Sequence, residues 1–250
     1  MRLLAGIKNC IAFLTVIPVG MDEDGIAQAA EFMPIFPVVG ALVGLVSGVA
    51  TWSLDLVLPS SVVGALSLGV ILLLNGVQHL DGLLDFGDGI MCHGSRDRKL
   101  RIMRDPATGA GGFSIGLVVL LATAFAIANI GPNMVIQAIV ASEAAAKFSM
   151  VFEAWEGTSA HKGMSSPFVS AMHSRNRNWR LTLSILLLIL VAVGTLGVVG
   201  LGVVSISVIA TLIVVTVSNR AFGGITGDVL GATNELTRLA SLLIILVGTR

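Results

Sequence analysis

Asp81, Asp85 and Asp88 stand four and then three residues apart in the stretch NGVQHLDGLLDFGDG, residues 75–89. On a helix that spacing puts all three carboxylates on one face, within a few ångströms of one another. Like charges that close need a counter-charge. All-oxygen donors beside a phosphate-bearing ligand favour Mg²⁺, with Mn²⁺ also admissible, over zinc, which would recruit His or Cys. The opposite charge follows directly, since Arg98, Lys99, Arg101 and Arg104 lie within RDRKLRIMRD, residues 96–105. Ser95 is placed to cap a short helix there and Pro106 to end it. Acids that hold a metal and arginines that hold phosphate oxygens would divide the labour of binding a phosphate-bearing ligand. The bland alternative is a solvated helix end followed by an ordinarily basic loop.

Other polar groups fall where they are expensive. Glu143 and Lys147 are spaced i, i+4 inside an apolar run, so they either neutralise each other or face a polar cavity. GGITGDVLGATNEL, residues 223–236, brings Asp228, Asn234 and Glu235 to the end of another apolar run, read here as a glycine-rich loop able to complete an oxygen-rich metal site. His79 precedes the first aspartate and can orient a carboxylate or hydrogen-bond a phosphate. Glu31 is a weaker candidate on the same side.

The elements that must position these groups are membrane helices. The chain has 250 residues, of which 55% are hydrophobic and only 12% charged, with a mean hydropathy of +0.93. A water-soluble core of this size could not hide so many apolar side chains, so lipid is the expected solvent. At about 20 residues per crossing, spans are predicted at 34–57, 60–79, 112–131, 133–153, 181–198 and 200–218, with a short apolar tail from Leu239 to Val247. The expected fold is therefore all-α, one polytopic membrane bundle over 1–250 with six to seven transmembrane helices. Five basic residues fall in 80–111, four in 154–180 and two in 219–238, and none near 58, 132 or 199. That alternation puts both long loops and the acidic segment on the cytoplasmic side. Trp52, Trp155 and Trp179 fall at predicted span ends, as interfacial anchors would.

Residues 1–20 combine Arg2 and Lys8 with a short apolar run broken by Pro18, which fits an interfacial or re-entrant segment better than a signal peptide. Gly40, Gly44 and Gly48 form a small-residue stripe suited to close helix packing. Cys10 and Cys92 lack metal-ligand spacing. Net charge is zero, which argues against nucleic acid as a partner.

The ordered set FLTVIP (13–18), FPVVGALVG (36–44), HLDGLLDFGDG (79–89), RDRKLRIMRDPATGAGG (96–112) and GDVLGATNEL (227–236) resembles the cobalamin synthase, or adenosylcobinamide-GDP ribazoletransferase, family. The likeness spans nearly the full length, with AHKGMSSPF in the 154–180 loop following the pattern only loosely. It implies an integral membrane, Mg²⁺-dependent enzyme of the cell membrane, acting late in coenzyme B12 assembly. Such an enzyme joins adenosylcobinamide-GDP to α-ribazole, or to its 5′-phosphate, and releases GMP. Asp81, Asp85, Asp88 and Asp228 are then the expected metal ligands. Asp85, Asp88 or Glu235 would take the hydroxyl proton. Arg98, Arg101 and Arg104 would stabilise the diphosphate, and His79 and Asn234 would contact substrate. Membrane lipid is an expected partner, and assembly of several copies is compatible with the sequence.

Two rivals are weighed against this. CDP-alcohol phosphotransferases also use spaced aspartates on membrane helices, but their DG-then-AR pattern is not met, because Asp81-Gly82 is followed by Leu83-Leu84-Asp85. A secondary transporter would use Asp81, Asp85, Glu143 and Lys147 to bind a coupling ion near the midplane. The aspartates instead fall at a span end, and no repeated half is visible. A transporter would leave its substrate chemically unchanged.

Overall fold

The computed structural model describes residues 2–249. Its helices, in chain order, are α1 (Arg2–Leu14), α2 (Gly25–Glu31), α3 (Phe36–Asp55), α4 (Ser60–Leu74), α5 (Gln78–Met91), α6 (Arg96–Ile102), α7 (Ala110–Ala128), α8 (Val135–Glu156), α9 (Ser166–Met172), α10 (Arg177–Leu196), α11 (Val198–Ala221) and α12 (Gly227–Gly248). A 3₁₀ turn, Met33–Ile35, leads into α3. Among the described residues there is no strand beyond one bridge between Ser159 and Ile225. Six helices are long and apolar enough to cross a membrane: α3 with its leading turn, α7, α8, α10, α11 and α12. The chain is a polytopic helical membrane bundle, as its composition requires.

The bundle is built around α8. Every residue from Ala138 to Ala154 on it is buried, a pattern expected of a helix ringed by others rather than by lipid. The predicted glycine stripe explains the closest of its contacts. A Cβ on Gly44 would stand 2.6 Å from the Cα of Val140, and one on Gly48 would stand 3.0 Å from that of Ile136, so α3 lies backbone to backbone on α8. The outer helices α7 and α11 present Phe113, Val118 and Phe125, and Leu201, Ile209 and Ile213, as exposed apolar faces of the kind lipid covers. Trp52 and Trp179 are exposed within the last turn of α3 and the first turn of α10. Trp155, in the last turn of α8, carries the Arg177 guanidinium 4.4 Å above its ring. The amphipathic α1 is 13 residues long, about 20 Å and too short to cross a bilayer alone. It exposes Leu3 and Leu4 and buries Asn9, Cys10 and Leu14, which agrees with an interfacial segment.

Two expectations are corrected. The predicted span 60–79 is not one straight helix, since it breaks after Leu74 and resumes at Gln78 with a bend of 98°. The break is a pair of left-handed residues, Gly76 at φ 73° and Val77 at φ 63°. Glycine adopts that conformation freely, and Val77 adopts it at a steric cost. The other correction concerns the C-terminus. The predicted glycine-rich loop and short tail are a single 22-residue helix, α12, long enough to span. Thr226 starts it by accepting the N–H of Val229 on its hydroxyl, 3.3 Å away.

At the 98° bend the two limbs cannot both follow the membrane normal. The α4 limb packs lengthwise, with Gly64 against Ala124 and Ala128 of α7. The α5 limb turns across the bundle and lies over the N-terminal ends of α7 and α12, with Gly82 against Asp228, Gly231 against His79, and Gly87 against Gly112. Helix α5 therefore does not span. It is a crossbar resting on the first turns of two helices that do.

Candidate active site

Helical spacing places Asp81, Asp85 and Asp88 along α5 as the sequence predicts, and the packing of α12 beneath brings Asp228 to the same group. Asp81 is exposed, Asp85 and Asp228 are half-buried, and Asp88 is buried. None of the four takes part in an ion pair among the described residues. Burial, reinforced by the charges of Asp81, Asp228 and Asp88, pushes the Asp85 carboxyl up to about 7.

Asp88 is committed differently from its neighbours. Its Oδ2 accepts the N–H of Gly109 at 2.7 Å and its Oδ1 accepts that of Gly112 at 2.8 Å, so it caps the N-terminus of α7 from outside the helix. Gly112 permits the approach, because a Cβ there would stand 2.7 Å from the Asp88 carboxylate. The sequence motif TGAGG thus receives an aspartate in the first instance.

Two spaces open on either end of α5. A cavity of about 210 Å³ lies between α5, α8 and α12, lined by Phe13, Gln78, His79, Asp81, Met150, Met164, Gly227, Asp228 and Leu230. A wider cleft of about 500 Å³ lies beyond the other end, where Asp88, Cys92, His93, Arg98, Asp105, Gly109 and Gly111 line it. Asp85 sits one turn from Asp81 and one from Asp88, between the two. Of the three arginines singled out by sequence, Arg98 lines the cleft, whereas Arg101 and Arg104 are exposed and line neither space. Helix α6 starts where predicted, with the Ser95 hydroxyl accepting the N–H of Arg98 at 3.4 Å, and stops at Ile102, ahead of Pro106. It is pinned to α5 by Lys99, which donates to the carbonyls of Gly89 and Ile90 at 3.4 and 3.3 Å, a cation at a helix C-terminus. Asp105 also lines the cleft and caps its own turn by accepting the N–H of Ala107 at 3.0 Å.

Behind the cavity lies a buried polar network that the sequence reading only partly anticipates. Glu143 pairs with the Nε of Arg238, whose Nη1 pairs with Glu235. Lys147 donates to the Oδ1 of Asn234 at 2.8 Å, and Asn234 donates to Glu235 at 3.1 Å. Lys147 stands 4.0 Å from Glu143, so the principal partner of that carboxylate is Arg238 of α12 rather than its i+4 neighbour. Glu235 and Asn234 belong to this network and line neither space. The signal for Arg238 was its i, i+3 spacing from Glu235. Its tie to Glu143 crosses 95 residues and leaves no local mark. Burial first, then the charges of Lys147 and Arg238, hold the His79 imidazole well below its ordinary pKa, hence neutral. The His79 Nε2 is buried without a hydrogen-bond partner.

Among the described residues no three His, Cys, Asp or Glu side chains form a ready-made metal-ligand cluster. The donor chemistry nonetheless fits a hard divalent cation, since Asp81 and Asp228 line the cavity with oxygen donors and no lysine or arginine lines it, while Asp85, which lines neither space, feels both of their charges.

Comparison with known proteins agrees with this geometry. The sequence pattern of the cobalamin-5-phosphate synthase family matches residues 6–246. A protein of Methanocella arvoryzae named adenosylcobinamide-GDP ribazoletransferase is 34% identical over 96% of this chain and 95% of its own. Proteins of the same name from Halorubrum lacusprofundi and Pyrococcus abyssi are 35% and 33% identical, covering 96% and 95% of this chain and 96% of their own. No solved structure matches. With the match running through every helix that builds the two spaces, the chain belongs to the cobalamin-5-phosphate synthase family.

Proposed function

We propose that this protein is an adenosylcobinamide-GDP ribazoletransferase of the cell membrane, with its active site on the cytoplasmic side. The observation that carries the reading is the family match over 6–246, supported by unpaired carboxylates at one end of α5 and an arginine-lined cleft at the other. In the proposed reaction a ribose hydroxyl of α-ribazole, or of its 5′-phosphate, attacks the phosphorus bonded to cobinamide. A new P–O bond forms, the bond to the bridging oxygen breaks, and that oxygen leaves with GMP.

Phosphoryl transfer asks a protein mainly for alignment and charge stabilisation. Asp81 and Asp228 would hold a Mg²⁺ or Mn²⁺ ion, whose chemistry when bound is to neutralise the diphosphate oxygens. Asp85, half-buried and raised to about 7, would accept the hydroxyl proton. Asp88 and Glu235 are less suited, because both oxygens of the first accept backbone N–H groups and the second is paired to Arg238. Arg98 would steady the diphosphate, with Arg101 and Arg104 adding a basic approach. The basic loops on the same side as α5 support a cytoplasmic site.

The test is mass-spectrometric detection of GMP and the completed corrinoid, using purified protein in lipid-supplemented detergent with adenosylcobinamide-GDP, α-ribazole and Mg²⁺. Both products are expected with Mg²⁺ and neither with EDTA. Folded protein that yields no product with metal would sink the transferase reading. Product formed in EDTA would keep the transfer and remove the metal.

A further inference from the structure

We propose that the cleft between α1 and the start of α10 is a binding site for an anionic membrane phospholipid, with Arg180 holding the headgroup phosphate and the apolar lining receiving the chains. The site does not depend on the reaction proposed above.

The cleft has a volume of about 370 Å³ and opens where two spans begin. Residues of α1, of the 3₁₀ turn Met33–Ile35 and of the first two turns of α10 line it. Spans begin at the depth of lipid headgroups, a level that exposed tryptophans mark. Trp179 of α10 lines the cleft and is 66% exposed, and Leu3 of the amphipathic α1 lines it at 61%. Ile35 and Leu183 extend the apolar surface that a hydrocarbon chain can cover.

Charge decides which lipid fits. Arg2, Glu31 and Arg180 all line the cleft. Arg2 pairs with Glu31 at 2.6 Å, and Arg180 takes part in no ion pair among the described residues. The hydrogen bond from Arg2 first, and then the charges of Arg2 and Arg180, hold the Glu31 carboxyl below its usual range. Two cations therefore share one carboxylate. Other cations nearby are committed elsewhere: Lys8 pairs with Asp22, and Arg177 donates to the Trp155 carbonyl at 2.9 Å. Arg180 is half-buried, and a cation taken that far out of water is costly until an anion joins it.

The lining thus carries one positive charge in excess, the complement of a phospholipid with one net negative charge. A zwitterionic lipid would bring a second cation, and the carboxylate that could receive it is already held by Arg2. A guanidinium suits phosphate oxygens through its paired N–H donors, and basic pockets between spans are where anionic headgroups settle. The Asn176 side chain, which makes no capping bond to α10, adds a further donor to the lining. A free phosphate would satisfy Arg180 but leave Leu3, Ile35 and Leu183 uncovered, whereas a lipid serves both. A lipid seated there touches α1 and α10 together and would fasten the amphipathic helix to the bundle.

The experiment is native mass spectrometry of delipidated protein titrated with phosphatidylglycerol, with phosphatidylcholine of the same chains, or with inorganic phosphate. Wild type is compared with Arg180→Gln, Arg180→Lys and Glu31→Gln, and circular dichroism checks that each variant is folded. Wild type should bind phosphatidylglycerol about fivefold more tightly than phosphatidylcholine, the worth of one basic residue at a membrane surface. Arg180→Gln should abolish that preference, and Arg180→Lys should keep most of it. Glu31→Gln removes the competing carboxylate and should enlarge the preference, a gain that misfolding cannot mimic. Equal binding of the two lipids by wild type, a preference unchanged in Arg180→Gln, or one reduced in Glu31→Gln would overturn the site. Inorganic phosphate that binds wild type as tightly as phosphatidylglycerol and displaces it would assign Arg180 to a soluble anion and overturn the lipid.

Discussion

The Oδ1 of Asp88 on α5 accepts the N–H of Gly112 on α7 at 2.8 Å, joining the crossbar to the helix it rests on. Asp88→Ala should therefore destabilise the protein by about 1–3 kcal/mol, the cost of leaving a capped helix end unsatisfied. At pH 6, where the Asp85 carboxyl is largely protonated, Asp85→Asn should leave the unfolding temperature near wild type, and it should abolish turnover at any pH. Tryptophan-monitored thermal unfolding in detergent, read beside activity, separates the two. Equal stability of Asp88→Ala and wild type would show that the cap contributes nothing.

The Asp85 carboxyl, raised from about 3.9 when unfolded to about 7 when folded, sets the sign of a pH effect. Between those values the folded state binds the extra proton. Stability from this group is full below the unfolded value and falls as pH rises through 7. Metal-free protein should thus melt at lower temperature at pH 8 than at pH 6, and Asp85→Asn should flatten the difference. Activity runs the other way, since the proposed base is the ionised carboxylate, and should fall on acidification from pH 7. A metal-free melting temperature that climbs from pH 6 to pH 8 would contradict the assignment.

Val77 occupies a left-handed conformation at φ 63° with 43% of its surface exposed. A β-branched residue there costs about 1–2 kcal/mol, and little burial is lost by replacing it. Val77→Asn should raise the unfolding temperature by several degrees. A lowered temperature would mean that the side chain holds the α4–α5 bend by packing.

Arg238 is fully buried between Glu143 and Glu235. Arg238→Met removes the cation and leaves two carboxylates in apolar surroundings, a loss of about 3–5 kcal/mol. Adding Glu143→Gln and Glu235→Gln to that variant should recover much of the stability. A triple variant no more stable than Arg238→Met would show that shape rather than charge makes the residue necessary.

The sequence made the acidic face of α5 legible because three aspartates at helical spacing report their own geometry. The same holds for the Ser95 cap and the Gly40, Gly44 and Gly48 stripe, whose consequences are local or lie on one helix face. The α4–α5 bend was missed because a 20-residue crossing counted from residue 60 runs through it, although Asn75-Gly76 carries a turn signal and the apolar run stops at Leu74. Helix α12 was missed for the opposite reason. Asp228, Asn234, Glu235 and Arg238 make its first half read as a loop, and only their partners on α8 make it tolerable in a membrane. Asp88 looked equivalent to Asp81 and Asp85 because the amides that occupy it belong to glycines more than 20 residues away.

The tie between Glu143 and Arg238 also orders the making of the protein. The carboxylate leaves the ribosome 95 residues before its cation, and in that interval Lys147 is the sole charge on its own helix able to quiet it. Helix α8 must wait, half-compensated, until α12 enters the membrane. A chain cut short before residue 238 would leave that buried acid to Lys147 and Asn75 alone, a mark by which quality-control proteases could recognise it. Helix α12 would thus serve as the lock on the charge of α8.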